Sequence, residues 1–332
     1  MSEDTLDPKI PQSNTPSPAF IAEAQARRRE AWPLYHGYEY VPMGEARSLA
    51  VPVTVGCSYN RCLFCDLNHN LPFRILSLAE IDQQLENLAF LHRYDRRPVK
   101  RATLMQGNAL CLPTQDLLAI IERIRSYFPN VEGIGSFACV RDVLSKGPSD
   151  LQILQAAGLD HLTLGIESGS EWVLSFHQKG VTVAEMGRAM RMVNDLALPT
   201  SAYLILGLGG RDHEEDHIQE TARFLNQYTW KELVLLTLVL FKHAPLVAKV
   251  RTGEFRRVRP LACMREARDL VQLLTTPTWI NGTHKNNAFP FKGKIPEQKK
   301  ALLEYLEKKL EELAKVNETS HEAERWTRWS NE

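Results

Sequence analysis

The chain has 332 residues, 44% hydrophobic and 24% charged, with 40 basic side chains against 40 acidic ones. That length allows one large α/β domain or two ordinary ones with a sizeable core, and a formal net charge of zero excludes a global pull toward nucleic acid or an anionic membrane. Local basic runs do occur, RRR at 27–29, RYDRRPVKR at 93–101 and RTGEFRRVR at 251–259, and the expectation for each is a solvated face, so a nucleic-acid partner is not expected.

Residues 1–18, acidic, proline-rich and without an apolar core, are expected to form a disordered tail rather than a signal peptide. Residues 19–50 form an N-terminal extension, with a short helix expected over PAFIAEAQARRREAWP and a lead-in, YHGYEYVPMGEARSL, to the first strand. A repeating pattern then begins. VPVTV (51–55) precedes helical LAEIDQQLENLAFLHRY (78–94), and ATLMQG (102–107) precedes TQDLLAIIERIRSYF (114–128). VEGIGSFA (131–138) precedes SDLQILQAAG (149–158), and HLTLGIESG (161–169) precedes TVAEMGRAMRMVNDL (182–196). TSAYLILGLGG (200–210) precedes EEDHIQETARFLNQY (214–228), and ELVLLTLVLF (232–241) precedes LACMREARDLVQLLT (261–275).

These six strand–helix units have strands apolar on both faces, as buried parallel strands are. Strict alternation predicts a parallel sheet with right-handed crossovers, either open and doubly wound or curled into a full or partial barrel. Residues 51–275 are expected to be the catalytic domain. Residues 276–332 are expected to be a loop, a charged helix over PEQKKALLEYLEKKLEELAKV (296–316) and a polar tail. The longest strongly apolar run, LVLLTLVLF at 233–241, is far short of the roughly 20 residues a membrane span needs. A cytoplasmic protein with reduced thiols is the expectation.

In that compartment GCSYNRCLFCDLNH (56–69) acquires its meaning. Cys57, Cys62 and Cys65 fall directly after the first strand, where parallel α/β folds place their working face. Disulfides are disfavoured in a cytosolic chain of this size, and metal binding or catalysis is the expectation. With His69 the loop offers a Cys3His zinc site, yet C-x4-C-x2-C-x3-H is unlike the separated ligand pairs of zinc frameworks. An iron–sulfur cluster suits one tight loop better, and three thiolates leave one iron of a [4Fe–4S] cubane open. Cys111, Cys139 and Cys263 form no second triad and are expected to be small buried apolar residues.

The chain resembles the radical S-adenosylmethionine (radical SAM) superfamily over roughly Val51 to Thr275. CLFC (62–65) matches the ending of that family's cysteine triad, with Phe64 as the aromatic residue; MQGN (105–108) resembles its second-strand motif. GIESGS (165–170) and LILGLGGRDHEED (204–216) are similar to motifs of the branch containing tRNA methylthiotransferases and anaerobic coproporphyrinogen dehydrogenase. The departure is SYNR, which puts four residues between the first two cysteines where the common triad has three.

The resemblance implies a partial (β/α)6 TIM-type barrel of parallel strands with short helical extensions. It implies a [4Fe–4S] cluster on Cys57, Cys62 and Cys65, and reductive cleavage of S-adenosylmethionine to a 5′-deoxyadenosyl radical that abstracts hydrogen from substrate. Phe64 is then expected on the adenine, with Gln106, Gly107 and Asn108 at the methionyl amino group. Glu167 and Ser168 would face the ribose or the ammonium, Arg141 or Lys179 the carboxylate, and Gly207 and Gly209 would let backbone approach the adenine. An electron donor such as flavodoxin or ferredoxin is implied, and the substrate, expected to be a small molecule, is not specified. Too few residues precede Val51 for a cobalamin-binding segment, and 276–332 carries no counterpart of the RNA-binding β-barrel of the methylthiotransferases. The alternative is a zinc-stabilised Cys3His protein that binds nucleic acid through its basic runs.

Overall fold

The β-branched and leucine-rich runs pair side by side into one parallel sheet. A computed structural model describes residues 17–23, 26–27, 42–45, 47–94 and 98–319. The first sixteen residues of the expected tail, most of the N-terminal extension and the polar tail after 319 lie outside them. The strands are β1 (Leu49–Pro52), β4 (Arg101–Met105), β5 (Gly133–Ala138), β6 (Leu159–Glu167), β7 (Thr200–Leu206) and β8 (Glu232–Thr237). Two very short strands, β2 (Thr54–Val55) and β3 (Arg74–Ile75), pair antiparallel and make the cysteine segment a hairpin excursion from the end of β1.

The helices fill the crossovers: α1 (Leu78–Leu91), α2 (Thr114–Tyr127), α3 (Val140–Ala156), α4 (Glu171–Phe176), α5 (Val183–Asp195), α6 (Glu214–Leu225), α7 (Leu246–Arg251) and α8 (Pro260–Leu273). Local chemistry sets several starts. Ser77 with Glu80 and Thr182 with Glu185 close capping boxes on α1 and α5, and Pro260 occupies the first turn of α8. Helix α3 starts nine residues earlier than the periodicity of 149–158 suggests and breaks at Gly147–Pro148, where Gly147 leaves helical geometry.

The sheet continues past the expected six strands. Residues expected to be loop form β9 (Thr278–Asn281), parallel to β8, and β10 (Lys292–Ile295), antiparallel to β9. The order is β1-β4-β5-β6-β7-β8-β9-β10 with no pairing between the two edges, a curled but open sheet. Beyond β9 the edge of β8 is covered by one buried side chain. Asn287 accepts hydrogen bonds from the Thr237 N–H and hydroxyl and donates to the carbonyls of Leu235 and Gly282, doing the work of a strand. Helix α9 (Lys299–Thr319) then packs on α8.

Alternate strand residues face the helices and form the core, among them Ala102, Leu104, Leu162, Leu164, Ala202 and Leu204. The opposite face is polar at its foot. Glu45, on the short turn Met43–Glu45, enters there and is 3% exposed. Its carboxylate meets Arg101 at 2.9 Å, His161 Nδ1 at 2.6 Å and the Thr103 hydroxyl, while Arg101 forks onto Asp160. Burial would raise the Glu45 pKa, but His161, Thr103 and Arg101 outweigh it and hold it at about 2. His161 Nε2 lies 2.9 Å from Ser201 Oγ. The carboxylate–imidazole–hydroxyl order is that of a hydrolase triad, but Ser201 is buried at the end remote from the cysteine loop, so these groups form a floor.

Candidate active site

The cysteine loop rises from the C-terminal ends of β1 and β2 and is tied down from four directions. The Ser58 N–H donates to Asn108 Oδ1 at 3.1 Å, and Asn108 Nδ2 returns a 2.7 Å bond to Ser58 Oγ. The Tyr59 hydroxyl donates to the Gln178 carbonyl at 2.7 Å, and the Leu63 N–H donates to the His177 carbonyl at 2.9 Å. The Leu246 N–H donates to the Leu63 carbonyl at 2.8 Å, and Asn60 Nδ2 donates to the Asn68 carbonyl within the loop. Gly107 makes the close approach possible. A Cβ there would stand 2.6 Å from the Gly56 carbonyl oxygen and 2.7 Å from the Cys57 Cα, so any side chain would push the first cysteine away.

Opposite the loop stands a buried ion pair. Lys179 Nζ lies 2.9 Å from Glu167 Oε1, with the two side chains 13% and 11% exposed. Burial alone would lower the Lys179 pKa, but the Glu167 carboxylate overrides it and keeps the ammonium charged. Glu167 reaches this position through a bulge against β7 between Gly165 and Glu167, with its own φ at +64°. Its carboxylate folds back over Gly165, into space a Cβ there would fill. Gln106, at φ +77°, is the other non-glycine residue held left-handed at a strand end in this region. Such backbone costs on the order of 1–3 kcal/mol and clusters at working sites.

The thiols feel the pair. Burial raises the Cys62 pKa, and Lys179 opposes that rise while Glu167 and Cys57 add to it. Burial pushes the Cys65 thiol up to about 12. Among the described residues no three His, Cys, Asp or Glu side chains gather closely enough to hold a metal ion. The donor set nevertheless fits a cluster. Three soft sulfurs lie on one anchored hairpin, and burial makes the thiolates of Cys62 and Cys65 dependent on a cationic centre such as iron. His69 is not aimed with them: its ring stacks on His243 at 4.5 Å.

The remaining candidates divide. Arg141 lies with its guanidinium 3.9 Å from the Tyr59 ring, on the rim of the loop, and Phe64 stands with Lys179 Nζ 6.0 Å from its ring centre and its ring centre 5.8 Å from that of His177. The Asn108 amide is fully committed, its Nδ2 also reaching Asp142 at 3.1 Å. It braces the loop instead of offering a free amide oxygen. The Ser168 hydroxyl is likewise spent on a neighbouring helix. His217 Nε2 donates to the Ile205 carbonyl, so its Nδ1 accepts from Ser168 at 2.8 Å, and Ser168 Oγ accepts from the Ser170 N–H. Gly207 and Gly209 are pressed against Cys263 and against His213 and His217. Cys111 and Cys139, half-buried, sit within electrostatic reach of Cys57, while Cys263 is buried under the fifth-strand turn.

Sequence reading missed Ser58, Tyr59, Asp142, His177 and Glu266. Asp142 receives the Cys139 N–H at 2.8 Å and the Asn108 amide, and His177 Nε2 donates to the Leu208 carbonyl. Burial lowers the His177 pKa to about 4, so the ring is neutral. Glu266 alone left a signal, a carboxylate inside the apolar stripe Cys263, Met264, Ala267, Leu270, Val271 of α8.

Comparison with known proteins bears on the fold and the family. A fold like this one occurs in methylornithine synthase (TM-score 0.50, 12% identity, 79% of this chain on 72% of that one). It occurs also in coproporphyrinogen III oxidase from Escherichia coli, a radical SAM enzyme (TM-score 0.51, 15% identity, 68% of this chain on 50% of that one). Archaeal Elp3 of Methanocaldococcus infernus shares it as well (TM-score 0.51, 12% identity, 79% on 63%). The chain therefore spans half of the oxidase and under two thirds of the Elp3 chain. No curated protein matches it in sequence. No helix among the described residues is long and apolar enough to cross a membrane. The family model for the radical SAM superfamily matches residues 51–225, more than half of the chain. The chain belongs to the radical SAM superfamily, whose enzymes use a [4Fe–4S] cluster and S-adenosylmethionine.

Proposed function

We propose that Cys57, Cys62 and Cys65 hold the cluster and that the mouth of the barrel binds S-adenosylmethionine between the cysteine hairpin and the ends of β4, β6 and β7. The buried Lys179–Glu167 pair, within electrostatic reach of Cys62, carries this reading. The cost of a charged pair kept dry beside Cys62 is offset only where further hydrogen bonds meet its spare protons and lone pairs, and a zwitterionic ligand would supply them. When bound, the cluster supplies the electron that splits the sulfonium into methionine and a 5′-deoxyadenosyl radical.

The chain's own residues orient and shield. Lys179 or Arg141 receives the methionyl carboxylate, and Glu167 accepts from the ribose hydroxyls or the ammonium. The backbone of Gln106 and Gly107 meets the amino group. Phe64 and the Gly207–Gly210 turn flank the adenine, with Gly209 inside the turn. Ser168 supports this set through His217. The substrate is a small molecule that enters from the same mouth, lined on the β8 side by the half-buried Leu236, Leu238 and Leu240. The electron comes from a low-potential carrier such as flavodoxin or ferredoxin, in the cytoplasm.

The test is anaerobic reconstitution with iron and sulfide, addition of S-adenosylmethionine and a strong reductant, and measurement of 5′-deoxyadenosine. Product from wild type and none from Cys62→Ala supports the reading. No product from protein shown to contain its cluster sinks it.

A further inference from the structure

We propose that Glu266 is a positioning residue for bound S-adenosylmethionine, fixing from helix α8 the Gly207–Gly210 turn. The proposal rests on the proposed function, in which that turn lies against the adenine. Strand β7 pairs with β8 as far as Leu206 and Thr237, so Gly207 is the first residue beyond the ladder. Its buried N–H needs an acceptor, and the acceptor is Glu266 Oε2. The same glycine has φ +82°, and the space where a Cβ would stand is filled by Cys263 Sγ at 2.8 Å. Cys263 and Glu266 are three residues apart on one helix, hence on one face. One helix face thus holds Gly207 by both its N–H and its Cα, and the Gly210 N–H closes the turn onto the Gly207 carbonyl at 3.1 Å.

The group doing this is an expensive one. Glu266 is 2% exposed, no cation pairs with it among the described residues, and its Oε1 has no hydrogen-bond partner. Burial drives its pKa well above the carboxylate range, opposed only by the Gly207 N–H and reinforced by Glu214 and Asp269. Burial thus favours the protonated, uncharged acid over the carboxylate. For packing alone a methionine would serve this apolar stripe better, because an unmade hydrogen bond on a buried oxygen destabilises. What the acid adds is an acceptor for Gly207, and with it a fixed turn. Glutamine keeps the shape and the acceptor oxygen for the Gly207 N–H, and leucine does not.

Full-length wild type, Glu266→Gln, Glu266→Leu and Cys263→Ala would be reconstituted and compared in three ways. These are cluster content, equilibrium binding of radiolabelled S-adenosylmethionine, and the steady-state kinetics of its reductive cleavage, resolved into KM and kcat. Glu266→Leu is expected to weaken S-adenosylmethionine binding about tenfold or more and to raise KM, with cluster content and kcat at saturation kept. Glu266→Gln is expected to stay within about twofold of wild type in every readout. Unchanged binding in folded Glu266→Leu overturns the proposal, as does a Glu266→Gln defect equal to that of leucine. If Glu266→Leu does not fold, Cys263→Ala, which loosens the other side of Gly207, decides: weakened binding supports the proposal and unchanged binding overturns it. Failure of wild type itself to bind S-adenosylmethionine would instead refute the site assignment.

Discussion

Lys179 and Glu167 are twelve residues apart in sequence, on either side of helix α4, and meet at 2.9 Å in a nearly dry pocket facing Cys62. Removing one partner leaves the other charge buried and alone, which costs about 3–5 kcal/mol. Lys179→Met is therefore expected to lower the urea midpoint markedly. The Lys179→Met/Glu167→Gln pair should recover much of that stability while 5′-deoxyadenosine formation stays lost. Recovery of activity in the double variant would show that the charges are structural only.

Gly107 sets the distance between the second strand and the first cysteine. Gly107→Ala must displace the Gly56–Cys57 backbone, an overpacking cost of about 1–3 kcal/mol concentrated on the hairpin. The expected result is a folded protein, by far-ultraviolet circular dichroism, that retains little iron and sulfide after reconstitution. Full iron content in that variant would contradict the role assigned to the contact.

Acid should weaken the fold in two successive, overlapping windows. His177 and His217 are buried and neutral, and burial lowers both to about 4 from 6.5. The unfolded chain thus binds protons first: stability is full above pH 6.5 and falls as pH drops toward 4, by on the order of 3 kcal/mol per histidine. Glu45, held at about 2 from 4.5, contributes stability that is present above pH 4.5 and is lost as pH falls through 2. Measured by urea unfolding between pH 7 and 4, the dependence of stability on pH should differ between wild type and His217→Gln by about one proton, the variant losing less stability as pH falls. An unaltered slope in that variant would refute the buried neutral state.

Asn287 replaces a strand along the upper part of β8. Asn287→Ala strands the Thr237 N–H and the Leu235 carbonyl, at about 2–4 kcal/mol in total. Amide exchange at Thr237 is expected to accelerate strongly while that of Leu204, in the middle of the sheet, slows or speeds only with global stability.

The barrel strands were readable because buried parallel strands are short apolar runs between helices of clear period. TWIN and KGKI were not, since a four-residue strand with lysine and glycine looks like loop, and only pairing with β8 and with each other identifies it. The cysteines and the ends of β4, β6 and β7 were legible from residue chemistry and from resemblance. Which way Ser168 and Asn108 turn was not, because His217 and Ser58 lie 49 and 50 residues away. Glu266 was legible in principle, as a carboxylate on an apolar helix face, but only Gly207 tells what it holds.

Glu45 has one more consequence, for the order in which the chain assembles. It leaves the ribosome before the strands it docks on, yet its partners Thr103 and His161 lie 58 and 116 residues downstream, and the Cα of its neighbour Gly44 lies against the Glu232 carboxylate. This turn, made before its partners, is thus among the last segments to dock, waiting with a carboxylate still in water while the sheet is synthesised and curls around the place it will occupy.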